Sequence, residues 1–196
     1  LALAHMDVCA RQTPDWLRQC AAQRMAAGLT VADLNLPADS VAALLNDAHN
    51  NATPLIIVAV SEPKMANLPA DLHGLSLLIL NVGELQARVG RALNSDTEIA
   101  AACREVQAQG ARQLIVTRGA AGVLYTAGDT LHALSAPPVE VRDVTGAGDA
   151  FSAAVCWSLY QSPDDLRQAC AHGIALSALT VQSEHSVLPD LNAQIF

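Results

Sequence analysis

The chain has 196 residues, 52% of them hydrophobic and 15% charged, with a formal net charge of −8. That content excludes a disordered polypeptide and supplies one sizeable core. The acidic balance and the 3% aromatic content speak against sequence-independent nucleic-acid binding, which draws on basic patches and exposed stacking rings.

In chain order, the opening LALAHMDVCARQTPDW has no initiator methionine and a strand-like start, so residue 1 is expected not to be the natural start. Thr13 and Pro14 read as an N-cap and a proline at the first helical position, predicting a helix to about Ala27 that stops at Gly28. LTVADL (29–34) reads as a short strand and PADSVAALLNDAHN (37–50) as a helix. PLIIVAV (54–60) and LSLLILN (75–81) are apolar runs of the kind found in strands covered on both faces. Ser95, Glu98 and Gly110 bracket a capped helix over 94–110, followed by a strand at 112–117. GVLYTA and TLHALS form an expected hairpin around Gly128-Asp129, PVEVRDV (138–144) is the last expected strand, and helices follow at about 147–160 and 163–182. This alternation predicts a single α/β domain over 1–196, a three-layer parallel sheet flanked by helices. The apolar runs are too short to span a bilayer, and no signal peptide is recognisable. Five cysteines without a CxxC pair read as reduced thiols of a cytoplasmic protein.

In such sheets ligands sit beyond the carboxyl ends of the strands. Three segments meet that condition. In RDVTGAGDAF (142–151), Gly146, Ala147 and Gly148 precede a helix. Small residues there let a phosphate approach the open amides of the helix N-terminus, and Asp149 could accept a proton from an alcohol attacking phosphorus. An ordinary turn is the competing reading. In ILNVGE, Asn81 and Glu84 could organise water around Mg²⁺ or simply cap a helix. In IVTRGAAGV, Thr117, Arg118, Gly119 and Gly122 could touch a nucleotide or form a plain glycine-rich turn. A parallel sheet would bring the three to one edge.

These residues carry a resemblance. Asp143-Val-Thr-Gly-Ala-Gly-Asp149 resembles the second signature of the ribokinase-like (PfkB) carbohydrate and nucleoside kinases, NVGE resembles that family's N-x-x-E motif, and TRGAAG its nucleotide turn. The resemblance covers nearly the whole chain as the C-terminal two-thirds of such a kinase. It implies ATP-dependent phosphorylation of a sugar or nucleoside hydroxyl, with Asp149 as the base and Gly146, Ala147 and Gly148 as the anion hole. It further implies that Asn81 and Glu84 order Mg²⁺ and its waters and that Thr117–Gly122 touches ATP. His172 would border the adenine, although ordinary helix packing explains that histidine equally. Asp143 and Thr145, with carbonyls around Ser183, would hold a monovalent cation, usually K⁺. VSEPKM, RDVTGAGDAF and AHGIALSALTVQSEHSVLPDL look most like bacterial pseudouridine kinases, which makes pseudouridine the expected acceptor. Neither nucleic acid nor membrane is an expected partner, and the family leaves room for a homodimer.

The sequence departs from the family pattern at Ala59, where relatives often carry an aspartate, and at QSEHS, which replaces a glycine-containing turn. The family's N-terminal strands, sugar-binding acidic residue, Gly-Gly motif and lid strands are not in this sequence; a polypeptide lacking them is expected to show little turnover. Competing functions are a kinase for another sugar and a non-catalytic nucleotide- or sugar-sensing module of the same fold. An NAD enzyme is disfavoured because no G-x-G-x-x-G follows an early strand. Lys64 reads as a solvated loop lysine, and Trp16 and Trp157 as packing residues. His5, His49, His73, His132 and His185 have no ligand-like spacing.

Overall fold

A computed structural model describes residues 6–192; His5 and the start of the strand-like opening lie outside the described residues. Asp7–Arg11 forms a 3-10 turn instead of extending a strand. The helix expected to about Ala27 is two helices, α1 (Pro14–Gln19) and α2 (Ala21–Ala26). They meet at Cys20, where the amide of Cys20 turns back to Leu17 at 3.1 Å. Arg24 holds the break by donating to the Leu17 carbonyl and to Asp47.

The remaining elements are β1 (Thr30–Asp33), α3 (Ala38–Asn51), β2 (Leu55–Val58), β3 (Leu77–Asn81), α4 (Val82–Val89), α5 (Asp96–Ala108), β4 (Gln113–Thr117), β5 (Val123–Ala127), β6 (Thr130–Leu134), α6 (Ala147–Gln161) and α7 (Leu166–Val181). The strands follow one another in a mixed sheet of order β1-β2-β3-β4-β5-β6. Helices flank it, as expected for a ribokinase-like α/β fold. The sheet is parallel from β1 to β3 and antiparallel through the β4-β5-β6 meander, whose hairpin turns at Gly128-Asp129 as the sequence indicates.

The chain divides into two compact units, one ending at Leu114 and one beginning at Ile115. In the first, Leu55, Ile56 and Ile57 of β2 and Leu77, Leu78 and Ile79 of β3 are buried from both faces. Each such side chain contributes roughly 1.5–3 kcal/mol by leaving water. Val41, Leu44 and Leu45 of α3 and Ile99, Cys103 and Val106 of α5 supply the helical part of that core. In the second, α6 and α7 pack along each other and α7 packs on β5. Phe151, Ala154 and Val155 are buried from α6, and Ala169, Cys170 and Leu176 from α7.

One expected strand is absent. Residues 138–144 are irregular, and Val141 and Val144 are 57% and 70% exposed. The alternation of valines imitates a strand, but Pro137 and Pro138 offer no amide to a ladder. The amides of Arg142 and Asp143 go instead to the Val181 carbonyl at the end of α7, at 2.8 and 3.3 Å. Among the described residues no helix is long and apolar enough to cross a membrane, and no group of three or more His, Cys, Asp or Glu is placed to hold a metal ion. All five cysteines are free.

Candidate active site

The second unit builds the stretch around Asp149 from its backbone outward. Gly146 is the N-cap of α6 with φ 82° and ψ −6°, a left-handed conformation that glycine adopts without a Cβ penalty. A methyl group at this position would also drive into the Ser186 carbonyl oxygen. Gly146 thus presses the loop 142–146 against the segment after α7. The Ala147 amide turns back to Val144 at 3.2 Å, and the Ala150 amide makes the first helical bond, to Gly146, at 2.8 Å. Between them the amides of Gly148 and Asp149 take no acceptor among the described residues. The space beside Gly148 is open, since a Cβ there would meet no atom within 4 Å. Two amides without an acceptor at the positive end of a 15-residue helix, with open space at the Cβ position of Gly148, are suited to an anion.

Asp149 is exposed and lines a cleft of about 160 Å³ with Ala150, Ala153, Leu176, Thr180 and Ser186. The loop is therefore open to solvent, and its acid faces a cleft.

Asp143, Thr145 and Ser183 come together around the end of α7. Asp143 Oδ1 accepts the Thr145 amide at 2.8 Å, and that bond, with the Thr145 hydroxyl second, holds the carboxyl below the usual aspartate range. The Ser183 hydroxyl oxygen accepts the His185 amide at 3.0 Å. An ionised carboxylate, hydroxyls and the Ser186 carbonyl form an all-oxygen donor set, which fits a hard cation. Arg142 and Glu184 face each other at 3.6 Å with 60% and 80% exposed side chains, a surface pair of little energetic weight. His172 has its Nδ1 3.0 Å from the Ser158 hydroxyl and its ring 5.9 Å from that of Trp157. Both partners are on α6, so these contacts belong to helix packing. Thr117 ends β4, and the Arg118 amide closes the following turn on the Gly122 carbonyl at 2.8 Å. Buried Gly122 lies against Leu134 and Ser135.

In the first unit, Asn81 and Glu84 form a complete capping box at the start of α4. The Glu84 amide donates to Asn81 Oδ1 at 2.9 Å, and the Asn81 amide donates to Glu84 Oε2 at 2.7 Å. Glu84 is 3% exposed. Burial pushes its carboxyl above the usual glutamate range against the opposing pull of the Asn81 amide, and the charge of Glu62 pushes the same way as burial. Glu62 follows β2 and reaches over α4, where its carboxylate occupies the space that a Cβ on Gly83 would fill. Sequence reasoning passed over Glu62; its signal was a carboxylate just after a strand, the criterion that singled out Asn81. Glu62 and Glu84 place two acid groups by one helix turn, and paired carboxylates suit a divalent cation held through water.

The family model of pfkB carbohydrate kinases matches residues 4–192. The chain belongs to this family. A pfkB relative, the pseudouridine kinase of Escherichia coli, is 29% identical over 160 residues, covering 80% of this chain and 50% of the relative. A solved pfkB-like structure, a carbohydrate kinase from Agrobacterium tumefaciens, superposes with a TM-score of 0.82 at 32% identity over 100% of this chain and 62% of that one. Arabidopsis thaliana ribokinase, solved with ribose and ATP, shares the fold at a TM-score of 0.74 and 19% identity, covering 85% of this chain and 54% of its own. The chain thus spans about half the length of the pfkB relatives it matches.

Proposed function

We propose that this chain carries the phosphoryl-transfer machinery of a cytoplasmic ATP-dependent kinase that acts on a sugar or nucleoside hydroxyl, with pseudouridine as the acceptor. The observation that carries this reading is the pairing of open amides at Gly148 and Asp149 with an exposed carboxylate on the same helical turn. Family membership and the similarity to a pseudouridine kinase support it.

In this mechanism Asp149 takes the proton of the acceptor hydroxyl. The acceptor oxygen forms its bond to the γ-phosphorus as the bond to the β-bridging oxygen breaks, and ADP leaves with that electron pair. The amides of Gly148 and Asp149 meet the negative charge that spreads over the transferred phosphoryl oxygens. Losing one such preorganised donor typically costs on the order of 10²–10³ in rate. Asn81 and Glu84 would hold Mg²⁺ through water. Asp143, Thr145 and the carbonyls near Ser183 would hold K⁺, and Thr117–Gly122 would line the nucleotide, while His172 packs against α6. When bound, Mg²⁺ and K⁺ would supply positive charge that offsets the charge of phosphate groups.

The test is an ADP-release assay over pseudouridine, other nucleosides and simple sugars. Asp149→Asn should retain ATP binding while turnover falls by about 10²–10⁴. Full turnover in that variant would remove the assigned base. Acceptor-dependent thermal shifts without any ADP release would point to a sensing module instead.

A further inference from the structure

Arg88, on the last turn of α4, is a half-buried cation whose acceptors are neutral oxygens. Its guanidinium donates to the Leu68, Pro69 and Ala70 carbonyls at 2.8, 2.6 and 3.5 Å. It also donates twice to Gln109 Oε1, from Nε at 2.9 Å and from Nη2 at 2.5 Å. Burial holds the guanidinium below the usual arginine range. Taking a charge out of water without an ionic partner is costly, so stability alone is a poor account of this arginine.

What Arg88 connects is specific. It stands one helical turn beyond Glu84 on α4. The three carbonyls it gathers directly follow the 3-10 turn Glu62–Asn67. Gln109, the C-cap of α5, is bound twice, by its side chain to Arg88 and by its carbonyl to the Leu72 amide at 2.7 Å. Asn67 Nδ2 ties the same segment to the Leu34 carbonyl at 2.9 Å. At the other end of this segment the Glu62 carboxylate lies over Gly83, close to Asn81 Oδ1. Glu62 is exposed, and its charge acts against that of Glu84. Two like charges would drive an untethered Glu62 away from α4. Arg88 donates to neither acid, so it opposes that separation through the backbone it grips.

We infer that Arg88 is a positioning residue for this acid pair: it fixes α4 against the 62–70 segment and so keeps the Glu62 carboxylate at the turn that carries Glu84. The inference rests on the reading of that turn as a divalent-cation site and does not need Asp149 to be a base. Arginine suits the task because its planar fork reaches several acceptors at once, whereas a lysine ammonium is a single point. Groups outside the immediate ligands orient those ligands, and losing one typically costs about 10–100-fold in metal affinity.

The probe is Mn²⁺ alone, with its free fraction read by electron paramagnetic resonance, so no turnover is needed. Arg88→Met and Glu62→Gln should each weaken Mn²⁺ binding by about 10-fold or more. The double variant should bind no more weakly than the weaker single one, because Arg88 acts through Glu62. Additive losses, or unchanged affinity in folded Arg88→Met, overturn the inference. If Arg88→Met does not fold, Arg88→Lys carries the same readout. A similar loss there supports the fork, and unchanged affinity means that charge alone suffices and overturns it. Leu55→Val, at the end of β2 remote from Glu62, is the stability control. It should lower the melting temperature and leave Mn²⁺ affinity unchanged; a matching loss of affinity would reduce the effect to general stability and overturn the inference. Absence of Mn²⁺ binding in the unaltered chain removes the cation reading of the turn together with this inference. Equal affinity in the variants removes this inference alone.

Discussion

Gly146 and the Ser186 carbonyl oxygen are in such close contact that no side chain fits between them. The contact joins the proposed anion cradle to the segment whose carbonyls are proposed for the cation site. Gly146→Ala therefore combines a clash with a positive φ, and strain of this kind costs about 1–3 kcal/mol. The variant should melt at lower temperature and lose turnover together.

Gly148→Ala separates those two effects. Its Cβ would meet no protein atom, and alanine favours the helix by up to about 1 kcal/mol. Thermal stability should hold or rise. Turnover and ATP-induced stabilisation should fall, because the methyl group stands where the anion is proposed to sit. Unchanged kinetics in a stable Gly148→Ala protein would argue against the cradle.

The capping box predicts a pH signature. Burial raises the Glu84 carboxyl, with Glu62 adding to it. The folded chain then binds that proton more tightly than the unfolded chain, so the associated stability is complete below the ordinary glutamate range and is lost as pH rises through the raised value. Glu84→Gln keeps an acceptor for the Asn81 amide and should flatten this part of the denaturant-measured stability profile. Asn81→Ala removes the cap and should cost about 1 kcal/mol at any pH.

Gly173 of α7 lies against Phe151 of α6, and an added methyl would sit 2.6 Å from the ring and 3.0 Å from Val155 Cγ2. Gly173→Ala should destabilise by about 1–3 kcal/mol through overpacking, measured by urea unfolding, and Gly173→Val by more.

Burial pushes the Cys170 thiol up to about 12 and those of Cys103 and Cys156 up to about 11. Since the thiolate is the nucleophile, native protein at pH 8 should leave Cys103 and Cys170 unlabelled by iodoacetamide. Half-exposed Cys9 and Cys20 should react, and denaturant should release the rest.

Much of the fold is legible in local chemistry. The runs at 54–60 and 75–81 are strands because contiguous branched apolar residues suit a sheet covered on both faces. Ser95 and Asn81 announce their helices because each side chain accepts an amide three residues on. The stretch 138–144 reads as a strand but is irregular, because valine alternation describes a strand only where a neighbouring edge can accept it, and here the end of α7 takes the amides. The break at Cys20 depends on Arg24 reaching Asp47 of α3, a contact between residues 23 positions apart that no local pattern encodes.

The sequence by itself determined the family, the glycine-rich turn before α6 and the placement of Asp149 on its first turn, because these depend on residues adjacent in the chain. Only the tertiary structure decided that Asp149 faces a cleft and that Glu62 reaches over Gly83 to the turn of Glu84. Those are matters of which distant surfaces meet, and side-chain identity along the chain does not specify them.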